Sequence, residues 1–407
     1  MKQTHLRAAS LALSLIACLL VGATLYANWL ERRYVHVLVP AEFSQKYLGS
    51  ALQRAAFDQP DLLPVYGSSE WYIQKPYQDP YRAVNIFRGE PTGFAVFPIG
   101  YGDTTDLLIL QRLAAVGPKL RGKKVVISLS PTWFFERLQE PHRAYAGNFS
   151  RLHAGAVVFS TDLSFDLKQS IARRMLEYRE TLAKDTLLRF AVEQLANGSP
   201  FSRVLYYLAL PLGQVQNLIL RLQDHWEMMA YLSKRPDLTP ETTDSTEGLD
   251  WPALFAAAER ETRQHTNNNS YGFDNDDWNQ GLKWRATAER RMMSDTRFRR
   301  EMQLAREWTD FELLLRTLHE LGAKPLVLSM PIGGTYYDYL NVSQQARDDY
   351  YAKIRQLSSA YGAQVRDFAD HDRDNAFVLN ARGHLLPKGW VYYNQALDNF
   401  YHGRPLQ

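Results

Sequence analysis

The 407-residue chain has a single cysteine, Cys18, so no disulfide can close within it and no thiolate metal cluster can be built from it. None of its ten histidines stands in a His-x-x-x-His pair, and no glycine-rich loop of the phosphate-cradling kind occurs. Neither sign of charge is in excess. Lys and Arg number 47 against 44 Asp and Glu, a net charge of +3, which leaves no electrostatic footprint for nucleic acid. These absences argue against disulfide scaffolds, clustered-ligand metal sites and nucleotide-phosphate sites, and no cofactor is implied. What remains is globular composition, with 45% hydrophobic, 13% aromatic and 22% charged residues.

The N-terminus differs from the rest. Ala8 to Leu30 carries no charge over about 23 residues, enough to cross a ~30 Å hydrocarbon core. Lys2 and Arg7 precede it, and Trp29 and Tyr34 mark its far edge. Cationic flanks stay cytoplasmic, so the expected topology is a single-pass anchor in the cell (inner) membrane, with the bulk of the chain extracytoplasmic. Two alternatives compete: signal-peptide cleavage after Val21-Gly22-Ala23, and a lipobox at Leu15-Ile16-Ala17-Cys18. Phe201 to Leu222 is also apolar-rich, but it carries Arg203, Gln214, Gln216, Asn217 and Arg221, with Pro211 in its middle. That polarity argues against a span and predicts a pair of buried helices, with an interfacial or partner-docking surface as the alternative.

Four short apolar runs without alternation end in loops of small or polar residues: Leu62–Tyr66, Gly93–Phe97, Lys124–Leu129 and Pro325–Ser329. Such runs suit parallel strands buried on both faces. Helical periodicity at Thr104–Val116 and Phe311–Leu321 fills gaps between them, which predicts an α/β fold with an open parallel sheet flanked by helices. The loops at the carboxyl ends of the strands should then gather along one edge, where such sheets bind ligands. Between the third and fourth runs, residues 135–300 read as a large, mostly helical insertion, with one long amphipathic helix expected over Asp166–Leu195. The expected organisation is anchor at 1–34, the α/β domain at 35–134 and 301–407, and the insertion between.

Two positions suggest chemistry. In Gly67-Ser68-Ser69-Glu70, Ser69 follows a buried strand where a nucleophile can face solvent, and where backbone N–H groups can receive an oxyanion. A turn and helix cap is the plainer reading of that tetrapeptide. His384, followed by Pro387-Lys388-Gly389, can bring an imidazole over the sheet edge, and a surface or capping role is its plainer reading.

Taken in order, Ser69, the glycines after the second strand, the polar loop after the third and the late His384 resemble the SGNH hydrolase superfamily. More closely, the chain resembles the DltD family of D-alanyl-lipoteichoic acid biosynthesis. The likeness runs through the anchor, Gly67–Glu70, Lys123–Ile127 leading to Ser130-Pro131-Thr132-Trp133-Phe134, Thr266–Phe273, Ala323–Leu326, Tyr336–Tyr339 and His384–Trp390. This resemblance implies acylation of an anionic or neutral envelope glycopolymer, with D-alanine as the usual acyl group. A membrane-bound O-acyltransferase is the implied partner, and the acyl donor would come ultimately from a carrier protein. Ser69 would be the nucleophile and His384 the base, with an oxyanion hole from the N–H of Ser69, a glycine N–H (Gly100 or Gly102) and Thr132.

The acid of the triad does not carry over. The family pattern has Asp three residues before the histidine, and here that position is Ala381. Asn380 takes the acid's place if one residue is inserted, and Asp374, Asp372 or Asp370 are the nearby carboxylates, with Asp374 nearest in sequence. Ile332-Gly333 also stands where family members tend to have Asn. The missing acid favours an alternative function, a scaffold that presents polymer or carrier to the acyltransferase; a third reading is an esterase that removes acyl groups with the same residues.

Overall fold

A computed structural model of the chain describes residues 2–72, 79–134, 141–238, 248–374, 377–378 and 384–406. It contains one five-stranded parallel sheet, with strands β1 (Leu62–Gly67), β2 (Ala95–Gly100), β3 (Lys124–Leu129), β4 (Lys324–Ser329) and β5 (Gln364–Arg366) in the order β2-β1-β3-β4-β5. The α/β expectation holds. Helix α1 (Lys2–Tyr34) is long and apolar enough to cross a membrane, and large apolar side chains along it, among them Leu11, Leu19, Leu25 and Trp29, are exposed. Of the helices that follow, α2 (Ala51–Asp58), α3 (Asp106–Val116), α4 (Pro200–Ser233), α5 (Glu307–Glu320), α6 (Gln344–Ala360) and α7 (Pro387–His402) position the site or its surroundings.

The strands are apolar throughout because both sheet faces are covered, and side chains alternate between two cores. Tyr66, Val125, Ile127 and Val327 enter the larger core with α2, α3, α5 and α6. Val65, Val126, Leu326 and Leu328 enter the smaller one, closed by α7 and by Ala258 of the helix Trp251–His265. Each fully buried aliphatic side chain contributes about 1.5–3 kcal/mol, so the alternation fixes the register firmly. Three prolines are accommodated without loss of pairing, one of them Pro325, the second residue of β4, where pairing to β5 starts one residue later, at Leu326↔Gln364. Pro98 lies in β2, an edge strand. Pro64 lies in β1, where pairing to β3 starts one residue later, at Val65↔Val126.

Several elements differ from the sequence expectation. The second strand starts two residues later than expected, because Gly93 (φ 85°) closes a turn and Phe94 separates it from the strand, and it runs three residues further. Gly100 is consequently the last residue of β2, paired with Gly67, rather than a loop residue. The predicted helix over Asp166–Leu195 is broken: Phe165–Met175 ends in a 3₁₀ turn, and Asp185 caps a new helix, Thr186–Asn197, through the N–H of Leu188 at 3.0 Å. The pair of buried helices expected over Phe201–Leu222 is part of one helix, α4, with large apolar side chains exposed. Pro211 lies on the exposed side of α4, so the hydrogen bond it removes is lost away from the protein body. Strand β5 was not expected; with three residues at the sheet edge it is too short to leave a pattern.

Candidate active site

Ser69 opens a 3₁₀ turn, Ser69–Trp71, directly beyond the carboxyl end of β1, and its side chain is exposed. The first N–H groups of such a turn have no acceptor within it. The turn fits between β1 and β2 only because two glycines leave room. A Cβ on Gly67 would stand 2.4 Å from both Glu70 Oε1 and Trp71 Cδ1, and one on Gly100 would stand 2.6 Å from the Ser68 carbonyl oxygen. Ser68 secures the turn on both sides: its N–H donates to Glu70 Oε1 (3.0 Å), and its Oγ accepts from the N–H of Thr104 (3.3 Å). Glu70 is itself buried, and that burial pushes its carboxyl up to about 7, against the pull of the Ser68 N–H.

His384 reaches the same place from the other end of the chain. A bridge between Val378 and Leu385 and the N–H of Leu386 on the Phe377 carbonyl (3.1 Å) fix its backbone just before α7. Pro387 at the first turn sets the helix start, and Gly389 passes so close to Phe377 that a Cβ there would lie 2.2 Å from its carbonyl oxygen. The outcome is Ser69 Oγ and His384 Nε2 at 2.9 Å, across 315 residues of sequence. The two segments are joined behind this contact by Trp71 and Trp390, both buried and edge-on with ring centroids 5.1 Å apart. Arg82 lies over Trp390 (5.7 Å) and donates to the Tyr72 carbonyl (2.9 Å), tying the serine turn to α7 a second time.

The other sequence candidates fall into three groups. Gly100 packs on the serine turn, and Gly102 follows two residues later with open space where a Cβ would be. The Gly102 carbonyl is held by Asn148 Nδ2 at 3.0 Å. Thr132, in the 3₁₀ turn Pro131–Phe134 after β3, shares a hydrogen bond with Ser130 (2.9 Å). The aspartates are engaged elsewhere. Asp374 bonds His371 Nδ1 (2.8 Å) and pairs with Lys388 (3.2 Å), Asp372 holds Arg347 and Tyr351, and Asp370 holds Arg366. Asn380 and Ala381 lie outside the described residues.

Sequence reasoning missed the supports: Glu70 as a buried acid, Asn148 on the β2 loop, Arg82, and the Trp71–Trp390 contact. Each is a tie between segments distant in sequence, or a side chain on its own turn, and neither leaves a periodic pattern. The Thr266–Phe273 motif is explained locally, since Asn269 Oδ1 accepts from the N–H groups of Tyr271 (3.2 Å) and Phe273 (3.0 Å) and organises the turn. His36, Asp61 and Glu90 form a small group with ligand atoms within 4.8 Å of one another. Asp61 and Glu90 precede β1 and β2, which puts the group at the opposite sheet edge from Ser69, with His36 Nε2 3.1 Å from Asp61 and 3.9 Å from Glu90.

A family model described as "DltD protein" matches residues 42–402, most of the chain. The chain belongs to the DltD family. It is 28% identical over 357 residues to Protein DltD of Bacillus subtilis (strain 168), covering 87% of this chain and 86% of that protein. It is 24% identical over 392 residues to Protein DltD of Staphylococcus aureus (strain NCTC 8325 / PS 47), covering 96% and 94%. The match to the DltD family begins just after α1 and includes both Ser69 and His384, so the two residues that meet at the sheet edge lie within the shared region.

Proposed function

We propose that the chain is a membrane-anchored serine enzyme that transfers an acyl group, D-alanyl in the simplest case, to an extracytoplasmic envelope glycopolymer. The observation that carries this reading is the 2.9 Å contact between Ser69 Oγ and His384 Nε2 at the carboxyl ends of parallel strands. Membership in a family implicated in D-alanylation of teichoic acids supports the choice of acyl group and acceptor class.

In the first half-reaction, His384 Nε2 takes the Ser69 hydroxyl proton as Oγ attacks the acyl carbonyl carbon. The carbonyl electrons move onto oxygen, where the N–H of Ser69, a glycine N–H from Gly100 or Gly102, and Thr132 would serve as donors. The bond to the leaving thiolate or alkoxide breaks, that group takes the proton from His384, and an ester on Ser69 remains. In the second half, His384 takes the proton of an acceptor hydroxyl as its oxygen attacks the ester carbonyl; the bond from the acyl carbon to Ser69 Oγ then breaks, and Oγ regains its proton from His384. A membrane-bound O-acyltransferase supplied by a carrier-protein thioester is the proposed source of the acyl group.

A second reading, a scaffold that presents polymer or carrier, is favoured by Ala381 at the family's acid position and by the other partners of Asp370, Asp372 and Asp374. Cells expressing Ser69→Ala at the wild-type level separate the two. Loss of ester-linked acyl groups from the polymer is expected, and wild-type acyl content would leave the scaffold.

A further inference from the structure

Helix α4 carries an uncovered apolar face, on a part of the molecule the proposed chemistry does not use. Successive residues in an α-helix step by about 100°, which puts Phe201, Val204, Leu208, Pro211, Leu212, Val215, Ile219, Leu222 and Trp226 on one side. No charged residue interrupts that side, and most of these side chains are exposed: Leu208 by 68%, Leu212 by 64% and Trp226 by 70%. The stripe runs for about 38 Å along the helix. Arg203, Gln214 and Arg221 line one border, and Gln223 and Glu227 the other. The opposite side of α4 is the packed one, with Tyr206 buried, Gly213 against Phe159 and Asn217 against Gly155. An uncovered apolar side of this size marks an interaction surface.

Its occupant follows from where α4 is attached. Near its C-terminal end, His225 Nδ1 contacts Glu31 Oε1 of α1 at 2.6 Å, and Asp224 Oδ2 accepts from the N–H groups of Ser50 (2.7 Å) and Ala51 (2.8 Å). Glu31 comes directly after the apolar stretch of α1, two residues beyond the exposed Trp29, in the position of a membrane–water boundary. Trp226 is therefore held at the level where α1 leaves the bilayer. An amphipathic helix with an all-apolar face, aromatic residues on it and arginines at its border has the composition of one that lies in the headgroup region.

We propose that α4 lies in the surface of the same bilayer that α1 enters, its axis in the membrane plane and the Phe201–Trp226 face sunk among the lipids. The bilayer would then cover this face, and the body of the protein would be held against the membrane by two elements rather than one.

Site-directed spin labelling of the full chain tests this. Cys18→Ser removes the one native thiol, and Leu208→Cys, Val215→Cys and Ile219→Cys are labelled one at a time, with exposed Gln356→Cys on α6 as the aqueous comparison. The proteins are reconstituted in vesicles of equal parts phosphatidylethanolamine and phosphatidylglycerol. Collision with oxygen is then compared with collision with a water-soluble nickel chelate. The expected result is an oxygen-to-nickel ratio above one at all three α4 positions, at similar depth, and below one at Gln356→Cys. Nickel access at the α4 positions would overturn the proposal. So would labels reached by neither probe, which would mean that a second copy covers the face, or a steady change in depth along the three, which would mean that α4 crosses the bilayer. Three independent labelling sites keep the test decisive if one variant fails to fold.

Discussion

Glu70 offers a quantitative test of how the serine turn is built. It is 2% exposed, its Oε1 accepts from the Ser68 N–H, and burial raises its carboxyl from 4.5 to about 7. Below pH 4.5 the folded and unfolded chains both carry this proton. Between 4.5 and 7 the unfolded chain releases it first while the folded chain retains it, so stability falls as pH rises; above 7 the loss is complete. The span corresponds to roughly 3 kcal/mol. Glu70→Gln keeps an acceptor for the Ser68 N–H but never ionises, so it should escape the loss. Its stability relative to the parent should rise by that amount between pH 4.5 and 7 and then level off. Unfolding entropy of about 2.1 cal/mol/K per residue makes this about 4 °C in Tm for a chain of this size. Thermal unfolding of both proteins in detergent across pH 4 to 8 measures the difference, and other titrating groups cancel to first order because both proteins share them. A pH-independent difference, or one that shrinks with rising pH, would refute the assignment of Glu70 as a buried acid that ionises at a cost.

Trp390→Ala removes the buried partner of Trp71 and should cost about 3–5 kcal/mol by denaturant unfolding. A loss under about 1 kcal/mol would show that α7 does not depend on this contact. Asp374→Asn should leave turnover within about threefold, because its carboxylate is spent on His371 and Lys388; a fall of roughly 10²–10⁴ would bring Asp374 into the mechanism. The mature chain should retain α1 with its N-terminus inside, as N-terminal sequencing and protease accessibility of intact cells would report. A mature terminus at Cys18 or Thr24 would contradict this.

The parallel sheet was legible because strands buried on both faces write themselves as apolar runs, and β3 was placed to the residue. Ser69 was legible because the glycine two residues earlier is needed for its turn to pack, and His384 because Pro387 marks the helix after it. The surface of α4 was half legible. Its apolar content was plain, but one sequence cannot say which side of an apolar helix faces the body, and Pro211 suggested a break that an exposed position does not require. The supports of the site were not legible, because Asn148, Arg82 and Trp390 act on segments brought near only by the fold. A carboxylate partner for His384 was the hardest feature to read. The family pattern points to residue 381, which is alanine, and the nearby aspartates bind other groups.

The most direct test of Ser69 as a nucleophile activated by His384 is fluorophosphonate labelling of the full-length protein, with the modified peptide located by mass spectrometry. One adduct on Ser69 is expected, absent in Ser69→Ala and strongly slowed in His384→Ala, with folding intact in both. An unlabelled Ser69 in folded wild-type protein, or labelling that His384→Ala leaves unchanged, would contradict a catalytic serine–histidine pair.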